Sequence, residues 1–189
     1  MAEIRAIKWA NNRLILLDQT KLPTQEIYTE IDHYSKAVTA IKEMRVRGAP
    51  ALGITAAYGM VLAAMNWCPD QGDINDVLTQ AALDLIGARP TAVNVAWAVK
   101  RMQALVHTTI NPIEVSNQLL NEANRLFCKD IETNKLIGGH GSTLIENNSS
   151  VLTHCNTGAL ATAGYGTALG VIRRAWEQKK NIQVFHTET

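Results

Sequence analysis

The stretch Val151-Leu152-Thr153-His154-Cys155-Asn156-Thr157-Gly158 decides how this chain is expected to fold. It predicts a short apolar strand over residues 151–155, which ends in a cysteine, and then a small polar turn. An Ala- and Gly-containing helix is predicted over residues 160–178, and a second strand over residues 182–186. A strand, a helix and a strand in this order form one βαβ unit with a right-handed crossover. We therefore expect an α/β protein that contains the first βαβ unit of a Rossmann-like parallel sheet.

The residues upstream of this unit predict a mainly helical domain with a small antiparallel sheet. The turn pair Asn11-Asn12 separates two predicted strands, because asparagine tolerates positive φ. The strands are predicted over residues 4–9, 13–17 and 25–29. The helices are predicted over residues 34–44, 51–65, 73–88, 91–106 and 112–135, with the glycine cluster of residues 138–141 breaking the last helix. We expect an N-terminal domain over residues 1–130 and the start of the Rossmann-like domain over residues 131–189.

Composition and charge exclude several classes of protein. The 189 residues are 47% hydrophobic and 19% charged, with a net charge of +1. This balance is typical of a globular domain and argues against a strongly basic nucleic-acid surface. Three cysteines are a sparse, odd set that favours a reducing compartment. No apolar run approaches the roughly 20 residues that span a bilayer, and the run over residues 14–17 is too short for a secretory signal. We expect a cytoplasmic protein without a nucleic-acid or membrane partner.

The end of the sequence follows directly on the second predicted strand. Two parallel strands and one helix cannot cover both faces of a parallel sheet, and the sheet edge would expose unpaired backbone groups. We therefore expect the chain to be truncated before the C-terminal half of its Rossmann-like domain, or the sheet to be completed by something else.

Two arginines precede helices that open with a proline. Arg47 and Gly48 come before Pro50, and Arg89 comes before Pro90. Free N–H groups in the first turn of a helix, together with an arginine, can bind a phosphate. One phosphate has enough oxygens to accept bidentate hydrogen bonds from two arginines. The alternatives are that Arg47 is merely solvated and that Arg89 caps the carboxyl end of the preceding helix.

Cys155 is the candidate reactive residue. Its predicted place at the carboxyl end of a parallel strand is where open α/β folds bind ligands. The partial positive charge of a following helix N-terminus would favour the thiolate. The alternative is a small buried hydrophobe, the commonest role of a free cysteine. His154 should point to the opposite strand face, so a direct Cys–His dyad is not expected. The five histidines show no metal-ligand spacing. Gly164, Gly166 and Gly170 are expected in the following helix, packed against the sheet.

Three motifs, over residues 46–53, 88–94 and 153–161, together resemble the methylthioribose-1-phosphate isomerase family in content, order and spacing. The resemblance implies an aldose–ketose isomerase of methionine salvage, which converts 5-methylthioribose 1-phosphate to 5-methylthioribulose 1-phosphate. It also implies a homodimer without metal or organic cofactor. Carried over by motif, Arg47, Gly48, Ala49 and Arg89 would bind the substrate, and Cys155 would be catalytic.

The resemblance also identifies what is missing and which alternatives stay open. The family's catalytic aspartate, and a glutamine and an Asn-Lys pair that bind substrate, lie beyond Thr189. We therefore expect the 189-residue chain to be inactive alone. The hydrogen can move between C1 and C2 by an enediol or a hydride route, and the sequence favours neither. The rival families are ribose-1,5-bisphosphate isomerase and the regulatory subunits of the translation-initiation guanine-nucleotide exchange complex.

Overall fold

The structure, a computed structural model, describes residues 5–106 and 111–187. Its strands and helices follow the expected order of a mainly helical region and a parallel strand pair, so the predicted α/β class is confirmed. The strands are β1 (Ile7–Ala10), β2 (Arg13–Leu17), β3 (Tyr28–Ile31), β4 (Ser150–His154) and β5 (Gln183–Thr187). The helices are α1 (Tyr34–Lys42), α2 (Ala49–Met65), α3 (Ile74–Ala88), α4 (Val93–Val106), α5 (Pro112–Ser142) and α6 (Ala168–Glu177).

The first three strands form the expected antiparallel sheet in the order β1-β2-β3. Asn11 and Asn12 join β1 to β2 with φ values of 52° and 57°, which is the turn that their sequence predicts. The prediction for the third strand was three residues too early at its start, because β3 begins at Tyr28. The predicted start of the first strand, residue 4, lies outside the described residues.

Helix α2 is the centre of the helical region and packs against α1, α3, α4 and α5. It begins at Ala49, two residues earlier than predicted, with Gly48 as its N-cap and Pro50 in its first turn. All its residues from Ala51 to Ala64 are buried. A helix that is apolar on every side is stable only inside a protein, so α2 forms the core around which the other helices are arranged.

Helix α5 continues through the glycine cluster that was expected to end it, so that prediction is wrong. The helix runs without a break to Ser142. A Cβ on Gly138 would lie 2.9 Å from the carbonyl oxygen of Gly170, and one on Gly141 would lie 2.6 Å from a methyl group of Val171. The absence of side chains lets α6 approach α5 closely, and this packing offsets the low helix propensity of glycine. Because α5 spans residues 130 and 131, the expected domain division stays a prediction.

The segment after β4 also differs from its prediction. The expected helix over residues 160–178 is replaced by a 3-10 turn over Ala159–Ala161, an irregular segment over residues 162–167, and α6. The Thr162 hydroxyl accepts hydrogen bonds from the backbone N–H groups of Gly164 (3.2 Å) and Gly166 (3.1 Å). These side-chain bonds compete with helical ones, so Gly164 and Gly166 are not helical. Gly170 lies in α6 as expected.

Strands β4 and β5 are parallel, as the predicted βαβ unit requires, with Thr153 paired to His186. Every residue of β5 is exposed, and so is Leu152 on β4. Within the described ranges, no helix combines the length and the apolar character needed to cross a bilayer.

Candidate functional site

Cys155 lies directly after β4, which ends at His154, one residue earlier than predicted. Its φ is 68°, an uncommon left-handed conformation for a residue other than glycine. Its backbone N–H donates to the carbonyl oxygen of Thr187 at 3.0 Å, which extends the contact between the two parallel strands by one residue. The side chain is exposed. The thiol therefore stands at the carboxyl edge of the sheet, where the sequence placed it.

The turn that follows Cys155 is held by its own polar groups. The Thr157 hydroxyl lies 3.3 Å from the hydroxyl of Thr153, a buried residue on β4. The Thr157 carbonyl accepts the backbone N–H of Thr167 at 2.9 Å. These bonds bring the start of α6 back to the carboxyl end of β4. In open α/β folds, ligands bind at the carboxyl ends of the strands.

Arg47 reaches the same place from the helical region. The chain turns after α1, with φ of 59° at Met44, and the N–H of Arg45 donates to the carbonyl of Ala40 at 2.9 Å. Gly48 then has φ of 98°, and an added Cβ would lie 2.5 Å from both the Cβ and the carbonyl oxygen of Ala161. Only glycine permits this approach, and it sets Arg47 beside the turn that follows Cys155.

Arg47 and Cys155 line one open cavity of about 560 Å³. Its other polar lining includes Gln19, Asn156, Thr157 and His186. An apolar wall completes it, formed by Leu22, Pro23, Leu160 and Leu169. A cavity with a guanidinium, a thiol and a few polar groups beside apolar side chains suits a small anionic ligand with an apolar part.

Arg89 is not among the residues that line this cavity. It is the C-cap of α3, partly buried, and its carbonyl accepts the N–H of Ala92 at 2.9 Å. This placement agrees with the alternative reading, in which a cation stands at a helix C-terminus. Gly48 and Ala49 flank the cavity at the start of α2 but do not line it. The structure thus brings Arg47 and Cys155 to one cavity. That Arg47, Gly48, Ala49 and Arg89 bind the substrate stays a prediction.

Two polar lining residues were missed by sequence reasoning. His186 could have been found, because it ends a predicted strand and the carboxyl ends of parallel strands meet at one edge. His154 was considered instead, and its Nδ1 lies 2.7 Å from the hydroxyl of Thr187 and outside the cavity lining. Gln19 had no local signal, since it lies in a turn between β2 and β3.

Asp130 on α5 contacts the irregular segment that leads from the cavity to α6. Its carboxylate accepts the backbone N–H of Ala163 at 2.8 Å. Burial raises the pKa of Asp130, and the hydrogen bond from Ala163 opposes part of that rise. In the part of the chain that the structure describes, no group of three or more His, Cys, Asp or Glu residues is placed to hold a metal ion.

Comparison with known proteins places these features in a family. A model of the initiation factor 2 subunit family matches residues 45–189. A Carboxydothermus hydrogenoformans protein named methylthioribose-1-phosphate isomerase is 50% identical over 96% of this chain and 53% of its own length. The Thermotoga maritima protein of the same name is 46% identical over 98% of this chain and 53% of its own length. The chain therefore spans about half the length of these curated relatives.

Two solved structures resemble the fold closely. The 5-methylthioribose 1-phosphate isomerase from Pyrococcus horikoshii OT3 has a TM-score of 0.89 at 26% identity, over 98% of this chain and 61% of its own. The delta subunit of translation initiation factor eIF-2B from A. fulgidus has a TM-score of 0.86 at 41% identity, over 97% of this chain and 54% of its own.

Proposed function

The chain belongs to the initiation factor 2 subunit family, and we propose that it forms part of an isomerase that converts 5-methylthioribose 1-phosphate to 5-methylthioribulose 1-phosphate. The observation that carries the proposal is the shared cavity of Arg47 and Cys155. The names of relatives at 46% and 50% identity agree with it. A homodimer in the cytoplasm, working in methionine salvage without a cofactor, completes the proposal and rests on the resemblance.

The chemistry that this site must assist has two parts. The phosphate on C1 blocks the ordinary opening of the sugar ring to an aldehyde, so the ring must be opened with help from the protein. A hydrogen must then move between C2 and C1. Arg47 would hold the phosphate through charge-assisted hydrogen bonds, and Cys155 would act at the reacting carbons. The enediol and hydride routes both remain open for this step.

The apolar wall supports the methylthio substrate over its closest rival. Ribose 1,5-bisphosphate would carry a second phosphate where the methylthio group sits, and it would need a second cation. Arg47 is the only arginine or lysine among the described residues that line the cavity, whereas five apolar residues line it, Ala159 and the four of the apolar wall. Burying a phosphate against such a wall without a partner is unfavourable.

Alkylation of Cys155 tests whether the ligand enters the cavity. Cys68, Cys128 and Cys155 are all exposed, so the first two serve as internal controls. With the full-length protein, 5-methylthioribose 1-phosphate is expected to slow the alkylation of Cys155 alone, as followed by peptide mass spectrometry. The Arg47→Ala variant should need roughly 10- to 100-fold more ligand for the same protection, because a charge-assisted contact is lost. Equal alkylation of Cys155 with and without ligand would count against the proposal.

Turnover tests the proposed role of the thiol. The Cys155→Ser variant of the full-length protein is expected to lose on the order of 10²- to 10⁴-fold in kcat, which is the usual contribution of a proton-transferring group. The Cys128→Ser variant is its control, since Cys128 is exposed on α5 and away from the cavity lining. The 189-residue chain alone is expected to give no turnover, because the resemblance implies a catalytic aspartate that is not among its residues, and turnover by that chain would contradict this expectation.

A regulatory role is the second candidate, because a structural neighbour at 41% identity is named as a subunit of a translation initiation factor. Such a subunit would need no reactive thiol. If the full-length protein neither isomerises the sugar phosphate nor shows protection of Cys155, but forms a stable complex with initiation-factor subunits, this alternative replaces the enzyme.

A further inference from the structure

The cavity is built from two segments that are far apart in the sequence. One carries Arg47 and the other carries Cys155, and the turn Ala159–Ala161 is where they meet. For both groups to face one ligand, this turn must hold its place relative to the segment that precedes α2. A residue that contacts both segments would fix the distance across the cavity.

Gln19 makes both contacts. Its backbone N–H donates to the carbonyl of Arg45 at 2.9 Å, two residues before Arg47. Its side-chain Nε2 donates to the carbonyl of Leu160 at 2.8 Å, across 141 residues of sequence. Gln19 and Leu160 both line the cavity. One residue thus joins the arginine side of the site to the cysteine side.

Gln19 is itself held in place. The preceding residue, Asp18, is 6% exposed, and its backbone N–H donates to the carbonyl of Ile27 at 2.8 Å. The Asp18 carboxylate accepts the backbone N–H of Thr20 at 3.0 Å and the Thr20 hydroxyl at 2.6 Å. A side chain that extends from such a turn loses little further entropy when it makes its own bond, and preorganised groups of this kind set the geometry of binding sites.

We propose that Gln19 is a positioning residue, which holds Leu160 and the turn Ala159–Ala161 so that Arg47 and Cys155 converge on one anionic sugar. This inference rests on the proposed function of the cavity for its biological meaning. The mechanical link between Gln19 and the turn does not depend on which ligand binds. A different side-chain tie to this region, from Asp130 to Ala163, comes from α5, and Asp130 does not line the cavity.

The test compares Gln19→Met with Gln80→Met in the full-length protein. Methionine has a similar size and no charge, but it cannot donate to a carbonyl. Gln80 is exposed on α3 and also donates one side-chain hydrogen bond, at 2.8 Å to Asp84, so its variant is a matched control. Gln19→Glu is a second variant, in which a carboxylate would face the Leu160 carbonyl and repel it. Thermal unfolding shows which variants are folded, and the test needs only one folded Gln19 variant.

The first readout is hydrogen exchange of a peptide covering residues 156–167, without ligand. We expect at least about fivefold faster exchange in the Gln19 variants and no change in Gln80→Met, because a lost hydrogen bond of about 1 kcal/mol raises the opening of a segment by that factor. The second readout is the concentration of 5-methylthioribose 1-phosphate that half-protects Cys155 from alkylation. It should rise by a similar factor.

The outcomes separate this inference from the proposed function. Unchanged exchange in the Gln19 variants overturns the inference. Faster exchange with unchanged half-protection also overturns it, since the tie would then be structural only. If the sugar phosphate fails to protect Cys155 in the unsubstituted protein, the proposed function fails. The inference is then decided by the concentration of inorganic phosphate that half-protects Cys155 from alkylation. Equal concentrations for the Gln19 variants and for Gln80→Met overturn the inference. Absence of protection in all of these variants overturns it as well.

Discussion

The backbone conformation of Gly48 places the neighbouring Arg47 at the cavity. Its φ of 98° and its approach to Ala161 leave no room for a side chain. Sequence reasoning gave Gly48 a part in a phosphate cradle, and the structure adds a second reason for glycine at this position. The residue is a contact between the helical region and the turn after Cys155, so its effect on the site is geometric as well as chemical.

The Gly48→Ala variant is expected to be strongly impaired. The positive φ costs about 1–3 kcal/mol for a residue with a side chain, and the overlap with Ala161 adds to it. We expect a clear loss of the free energy of unfolding in urea, together with weaker protection of Cys155 by ligand. The Gly87→Ala variant is the control, because a Cβ there meets no atom within 4 Å and φ is not positive. Equal stability of the two variants would contradict this account.

Among the elements, α5 shows how a helix can continue through glycines when they pack against a second helix, here α6. Gly138 and Gly141 lie on the face of α5 that contacts α6, whereas Gly139 between them meets no atom within 4 Å. The three glycines look alike in the sequence but have different neighbours. The helix continues because close packing compensates for the two contacting glycines, which local propensity does not reveal.

Three alanine substitutions separate these roles. Gly138→Ala and Gly141→Ala are each expected to cost about 1–3 kcal/mol, since a methyl group would push α6 away from α5. Gly139→Ala is expected to gain about 0.5–1 kcal/mol, because alanine has the higher helix propensity and the site is open. Unfolding in urea measures all three. Similar changes in the three variants would show that the glycines act through propensity alone.

In the molecule as a whole, the cavity depends on contacts between distant parts of the chain. Asp130 on α5 is an example, because it accepts the N–H of Ala163 in the segment that leads from Cys155 to α6. Burial raises the pKa of this carboxyl above its value in an unfolded chain. Between the two pKa values the folded state binds more protons than the unfolded state, so the contribution of Asp130 to stability falls as pH rises through that range.

The Asp130→Asn variant should remove this pH dependence. The amide oxygen can still accept the N–H of Ala163, and no charge is buried. At neutral pH the variant is expected to be the more stable protein. The difference should shrink as pH falls from the raised pKa of the folded state to the ordinary aspartate pKa of about 3.9, because the native carboxyl takes up its proton before the unfolded one does. Urea unfolding across this range measures it, and parallel pH profiles for the two proteins would contradict the assignment.

The sequence by itself determined the order of strands and helices, the core helix α2, the βαβ unit, and the candidates Arg47 and Cys155. These features follow from local periodicity, turn residues and helix caps, which act over a few neighbouring residues. The resemblance of three motifs added the family, which the comparisons support.

Only the tertiary structure decided which of these candidates share a cavity. It placed Arg47 and Cys155 on the lining of one cavity, left Arg89 outside that lining, and brought in Gln19 and His186. It also kept α5 helical through its glycines and made residues 162–167 irregular. The reason is physical: close approach of backbones and hydrogen bonds between distant segments, such as Gln19 to Leu160, form only when the chain is folded, and no local pattern carries them.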